Sequence, residues 1–160
     1  MNCVDGGFYL LKDQYYLDFS DPYLKQNKQE HRPFYFCFQD TDTGLYWMIP
    51  LSSSTDKINL AKRKINEGKR DIFHITNVGG KDGVMLIADM CPVSSDYIKN
   101  QYAINGIPVI YKDKKELKLI KGKATKILAL LRKGISFTPT QPAVLDIEAA
   151  LIEKQKNKAL

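Results

Sequence analysis

Three consecutive serines, Ser52, Ser53 and Ser54, run into Thr55, Asp56 and Lys57 between a strand-like stretch, Leu45–Leu51, and a basic segment of helical spacing. Hydroxyls and an ammonium at that junction lie where the first backbone N–H groups of a helix lack partners, which favours an anion such as a phosphate. The same residues also suit a plain helix cap, with Ser54 or Thr55 accepting from an amide further on. Arg32 offers a planar fork that fits two phosphate oxygens. His31 beside it titrates near neutral pH and could serve as acid or base. His74 lies in a strand-like run, 71–76, where alternation sets it opposite Phe73 and Ile75 and so toward solvent or a groove. No Gly-x-Ser-x-Gly turn accompanies the serines, which argues against a Ser–His–Asp hydrolase.

The three cysteines, Cys3, Cys37 and Cys91, have no metal-ligand spacing. Cys37 and Cys91 fall in apolar runs, where a free thiol is a small buried hydrophobe, and this usage suits a reducing cytosol. No metal or cofactor is expected. The first residues lack the basic and apolar regions of a signal peptide. No apolar run is long enough to cross a bilayer, so a cytoplasmic protein with no membrane partner is expected.

The formal charge is +6, and its placement carries more information than its size. Residues 57–70 hold six basic side chains against one acid, and residues 112–133 hold nine against two. These two segments contain the whole basic excess, whereas the first 56 residues are net acidic. Segregated positive charge is the footprint of a polyanion partner, nucleic acid being the commonest, although lysine-rich helices are also often solvated faces.

The elements that must position these groups are legible in outline. With 160 residues, 44% of them hydrophobic and 26% charged, the chain suits one globular domain, 1–160. Phe8–Leu11 is expected as a first strand and 13–32 as a long aromatic loop. Pro33–Phe38 and Leu45–Leu51 form a hairpin around 39–44. Lys57–Gly68 is helical, and 71–78 with 84–90 make a second hairpin around Gly79–Gly83. Ser94 or Ser95 is expected to cap a short helix carrying Tyr97, Ile98 and Tyr102. Gly106–Tyr111 is a brief extended piece. Asp113 and Glu116 match a capping box before a long helix with the stripe Leu117, Ile120, Ala124, Ile127, Leu128 and Leu131, ending at Gly134. A last helix, 143–156, is expected to bury Leu145, Ala149 and Ile152. The class is α+β, with two antiparallel hairpins and helices inserted between and after them.

The order of these pieces resembles the type III toxin–antitoxin endoribonucleases, the ToxN, AbiQ and CptN toxins, and is most similar to CptN. The similarity runs along most of the chain. It is carried by Phe8-Tyr9 with Tyr15 soon after, His31-Arg32-Pro33-Phe34, and Tyr46-Trp47-Met48-Ile49-Pro50-Leu51-Ser52-Ser53. It continues in Gly83 to Val93 and in the basic helix ending near Gly134. ToxN carries a lysine two residues after the second serine; Thr55 stands there in this chain, and Lys57 is the next lysine.

The resemblance implies a compact, partly open antiparallel β-barrel of the KID/MazF-like toxin type with inserted and C-terminal helices. It implies a bacterial, cytoplasmic, metal-independent and sequence-selective endoribonuclease that cuts single-stranded RNA to 2′,3′-cyclic phosphate ends. Its partners would be target mRNA and a repetitive antitoxin RNA, which the toxin cuts into pseudoknot units that then hold it in a closed complex of several chains. The resemblance also implies a part in phage defence by abortive infection. On that footing Ser53 would contact the scissile phosphate or the 2′-OH, Lys57 would transfer a proton or stabilise charge, and Ser52 and Thr55 would orient the phosphate. Arg32 and His31 would bind RNA, and Tyr15 would stack on a base or position the phosphate. Lys62, Arg63 and Lys64, with Lys115 and Lys118, would track the backbone, assisted by exposed tyrosines including Tyr16 and Tyr23; His74 is a further RNA-contact candidate. Two other readings remain: a non-catalytic RNA-binding module, and a MazF-like toxin neutralised by a protein.

Overall fold

The computed structural model describes residues 2–24 and 32–159. Seven strands form an antiparallel sheet: β1 (Phe8–Leu11), β2 (Phe34–Gln39), β3 (Tyr46–Ser52), β4 (Phe73–Val78), β5 (Lys81–Leu86), β6 (Cys91–Val93) and β7 (Ile98–Gln101). Their order is β4-β5-β3-β2-β1-β7, with β6 also on β3. A separate two-stranded pair, β8 (Ala103–Ile104) and β9 (Ile107–Pro108), follows in the chain. The helices are α1 (Asp13–Asp18), α2 (Thr55–Asn66), α3 (Lys114–Arg132) and α4 (Val144–Ala159).

β3 sets the shape. One of its edges pairs with β2 from Tyr46 to Pro50, while the other pairs first with β6 through Tyr46–Met48 and then with β5 through Leu51 and Ser52. A strand that changes neighbours part-way curls its sheet toward a barrel. Among the described residues β4 and β7 end the path without pairing, so the barrel is partly open. α2 packs on β4 and β5, α3 across β2 and the turn Arg70–Ile72, and α4 on β6. β3 is buried from Tyr46 to Pro50 and so reads as a continuous apolar run instead of an alternation. Trp47, Tyr9, Tyr15, Phe8 and Phe34 are the largest wholly buried side chains of one core.

Two polar links hold the helices down. Arg132 donates two hydrogen bonds, of 2.7 and 2.8 Å, to the buried Glu148 carboxylate, joining α3 to α4, and its guanidinium stands 5.9 Å from the Trp47 ring centroid. Further along α4, Lys154 donates to the Tyr97 hydroxyl at 2.7 Å, and that hydroxyl donates to Asp18 at 2.6 Å.

Five expectations need correction. The segment 13–32 is not loop throughout: α1 occupies its start, a helix of six residues and too short to show a period. The second hairpin turns at Gly79-Gly80, and β5 begins at Lys81, so Lys81 to Gly83 belong to a strand. Ser94 and Ser95 lead only into a single 3-10 turn, Ser95–Tyr97, because the free edge of β1 recruits Ile98–Gln101 as β7. In α4 the buried residues are Val144, Ile147, Glu148 and Leu151; Ala149 is exposed, and Leu145 and Ile152 are half-buried flanks, since the Arg132 pair draws Glu148 inward. Cys37 is half-buried at an irregularity in the β2–β3 register between Phe36 and Phe38.

Candidate functional site

Ser52 is the last residue of β3, and short-range interactions decide what each serine is free to do. The Ser52 hydroxyl, buried, accepts from the Ser54 amide at 3.3 Å. The Ser54 hydroxyl accepts from the Lys57 amide at 3.5 Å and caps α2. Ser53 is exposed, and its hydroxyl makes no hydrogen bond among the described residues. Two serines build the turn; the middle one is presented.

The turn opens into a pocket of about 350 Å³. Its polar lining is Arg32, Ser52, Ser53, Ser54, Lys81 and Asp82, and its apolar lining includes Phe8, Leu51, Tyr102, Ile104 and Val109. Arg32 arrives there because β2 and β3 are antiparallel: Leu51 N–H donates to Pro33 O at 3.1 Å, which sets residues 32 and 52 at one end of the hairpin. Burial lowers the pKa of the Arg32 guanidinium, and the nearby Tyr16 and Asp89 oppose that shift; an arginine still carries its charge under such a shift. β5 is held hard against this end of β3. A methyl group added at Gly83 would lie 3.1 Å from the Ser52 carbonyl oxygen and 3.2 Å from a Leu51 methyl.

The remaining candidate residues divide. Thr55 is exposed and Lys57 half-buried, both on the first turn of α2, and neither lines the pocket. His31 lies outside the described residues. Lys62 and Arg63 are exposed on α2, Lys64 pairs with Glu67 at 3.5 Å, and Lys115 and Lys118 are exposed on α3. α2 and α3 both pack against the turn Arg70–Ile72, so the two basic segments flank one place. Not every lysine there is available: Lys126 pairs with Asp71 at 2.6 Å.

Tyr15 and Tyr16 are buried, against the expectation that they are exposed for stacking. The Tyr15 hydroxyl donates to Pro92 O at 2.7 Å, and its ring packs edge-on against Tyr97. Tyr23 is the exposed one. Cys91 is buried, which pushes its thiol up to about 12 and removes it as a nucleophile. Among the described residues no three His, Cys, Asp or Glu side chains converge where they could hold a metal ion, and no helix is long and apolar enough to cross a membrane.

His74 also departs from expectation: it is only 7% exposed, and Ile75 takes the open face. α3 covers it. Its Nε2 lies 2.5 Å from Glu116 Oε2 and its Nδ1 3.1 Å from Lys123 Nζ, which also donates to Phe73 O. An ammonium has no lone pair to offer, so Nδ1 accepts and Nε2–H donates, which is the neutral imidazole. Glu116 thereby serves His74 and leaves the capping box half-made, with Asp113 accepting from the Lys115 and Glu116 amides. Burial first, then the Lys123 charge, depresses the His74 pKa from 6.5, with Glu116 opposing.

The sign of the consequence follows. As pH falls, the unfolded chain takes up this proton first, so the contribution is complete above about 6.5 and is lost as pH drops toward the lower folded pKa. Urea midpoints between about pH 7.5 and 5.5 should fall more for the wild type than for His74→Gln. Parallel pH profiles would refute the assignment.

No protein-family model and no curated protein matches the sequence. Among solved structures the fold does find likenesses. One is AbiQ, a lactococcal anti-phage endoribonuclease belonging to the type III toxin–antitoxin system. The superposition has a TM-score of 0.55 and covers 94% of this chain and 98% of AbiQ. This chain has the fold of AbiQ. At 18% identity the likeness to AbiQ is one of architecture, extending over the open barrel and its helices and not over a single motif. The pocket residues that sequence reasoning missed are Lys81, Asp82 and Tyr102. A two-residue Gly-Gly turn, which would start β5 at Lys81, was the available signal for the first two.

Proposed function

We propose that this chain is the toxin of a type III toxin–antitoxin system, a metal-independent endoribonuclease that cuts single-stranded RNA and is held inactive by its own repetitive RNA antitoxin. The observation that carries the reading is the pocket at the end of β3, where a free serine hydroxyl and a buried arginine face one cavity. The full-length likeness to AbiQ supports it, as does the sequence resemblance, which is most similar to CptN within that group.

In such a reaction the substrate's 2′-oxygen attacks phosphorus and the bond to the 5′-oxygen breaks, leaving a 2′,3′-cyclic phosphate. The protein must take the 2′-OH proton, stabilise charge on the non-bridging oxygens and supply a proton to the leaving oxygen. Ser53 contacts the scissile phosphate or the 2′-OH, and Arg32 binds two phosphate oxygens from the pocket wall. The Ser52–Ser54 turn fixes where Ser53 stands. The resemblance also implies a lysine at the site; Thr55 stands at its position in this chain, and Lys57, the next lysine along the sequence, does not line the pocket.

RNA outside the pocket follows the exposed cations of α2 and α3, Lys62, Arg63, Lys115 and Lys118, so that antitoxin pseudoknot units and target strands compete for one surface. Binding should weaken steeply with salt, and replacing Lys115 and Lys118 by glutamine should reduce the slope of log K against log salt by roughly 1 to 1.5. An unchanged slope would remove α3 from the RNA surface.

The deciding experiment incubates the purified protein with single-stranded RNA in EDTA and identifies the product ends. Scission to 2′,3′-cyclic phosphates is expected. Intact RNA, bound in a salt-sensitive manner, would make the chain a binding module; a copurifying inhibitor that is protein and not RNA would make it a MazF-like toxin.

A further inference from the structure

We infer that Lys81, not Lys57, is the lysine that meets the scissile phosphodiester; the inference rests on the nuclease reading above and names a residue of that same site. Lys81 opens β5 directly after the Gly79-Gly80 turn, paired with Val78. Both Val78 and Lys81 line the pocket that holds Ser53 and Arg32, and Lys57 does not.

Strand alternation supports the direction of the side chain. Residues 81 and 83 share one face of β5, and Gly83 is the residue whose open position abuts the Ser52 carbonyl and the Leu51 side chain. Leu51 pairs with Met85, so Lys81, Gly83 and Met85 lie on the sheet face of Leu51, which lines the pocket. The pairing of Leu51 with Met85 and of Ser52 with Val84 holds β5 in that register, so Lys81 does not depend on a loop for its position.

Lys81 is also available. It is exposed and makes no ion pair with any described residue. The neighbouring Asp82 carboxylate is engaged by the Asn77 amide at 2.8 Å. Lys57 sits half-buried on the first turn of α2, and its side chain does not line the pocket.

The chemistry asked of Lys81 is electrostatic. While the O2′–P bond forms and the P–O5′ bond breaks, negative charge builds on the non-bridging oxygens, and the Lys81 ammonium faces it. The 2′-OH proton leaves to a base and the 5′-oxygen gains one; the ammonium keeps its own protons throughout. With Arg32 and Ser53 lining the same pocket, the phosphate would be held from segments far apart in sequence, just before β2, just after β3 and at the start of β5.

The test compares Lys81→Met, Lys81→Arg and Lys57→Met in single-turnover cleavage of a short RNA in EDTA, with binding of the same RNA carrying a 2′-deoxy cut site measured in parallel. Lys81→Met should lose about a hundredfold or more in the cleavage rate, with binding of the uncleavable RNA changed severalfold at most and the melting temperature unmoved. Lys81→Arg should recover part of the rate. Lys57→Met should stay within a few-fold of wild type. If Lys81→Met cuts at the wild-type rate, or if the rate is lost at Lys57 instead, the inference is overturned while the nuclease reading stands. If the wild type itself leaves the RNA intact, the nuclease reading fails first.

Discussion

Ser53→Ala is expected to stop strand scission while the protein stays folded and continues to bind RNA. The hydroxyl is exposed and makes no hydrogen bond within the described chain, so its loss removes no internal interaction and should change stability by no more than about 0.5 kcal/mol. A group that contacts the reacting phosphate is worth far more in the rate, roughly 10² to 10³. The adjacent serine gives the contrast. Ser54→Ala removes the cap of α2 and should cost about 1 kcal/mol of stability. Three observations on each variant decide the matter: the melting curve, RNA binding and the single-turnover rate. Wild-type cleavage by Ser53→Ala would take this serine out of the site. Rate loss that merely tracks melting in all serine variants would reduce the whole turn to a structural element.

The largest effect on stability is expected at Gly6. Its φ is +77°, and a methyl group there would fall 2.3 Å from the backbone oxygen of Tyr111. The left-handed backbone alone disfavours alanine by roughly 1–2 kcal/mol, and the clash forces apart a contact sealed by the Tyr111 N–H to Gly6 O bond of 2.8 Å. Gly6→Ala should therefore lose about 2–4 kcal/mol and melt about 5–15 °C lower. Gly122→Ala is the natural opposite. That glycine sits inside α3 with open space around it, and alanine there should add up to about 1 kcal/mol. Equal melting of the two variants would contradict the Gly6–Tyr111 contact. The effect would also reach the pocket, because Phe8 and Val109, two residues from either end of that contact, both line it.

The parts of the fold legible in the sequence are those whose partners lie close by. The β2–β3 hairpin, α2 with its serine cap and the apolar stripe of α3 rest on local periodicity, capping and turn chemistry, and the structure repeats them. What was hidden depends on distant segments. α1 has too few residues to show a period and exists by burying Tyr15 and Tyr16. β7 is a strand because β1 has an edge to offer. His74 looks like an outward residue until α3, more than forty positions later, supplies Glu116 and Lys123. The candidate site divides the same way. Ser52, Ser53 and Arg32 are brought together by one hairpin, whereas Tyr102 and Ile104 reach the pocket from the far side of the chain.

The β2–β3 hairpin has two ends of different character. One end carries Arg32 and the serines; the other is the turn 40–44, where Asp40 accepts from the Asp42 amide and the tip is mostly exposed. Between them lie five paired positions and the wholly buried Trp47. The tip is therefore the natural place for a fluorophore, an affinity handle or an inserted peptide. A reporter there would be fixed to the strand that presents Ser53 and yet stand a full strand length away from it. It would move with the site without touching it, which would let RNA capture be followed by anisotropy in a protein whose chemistry is left unaltered.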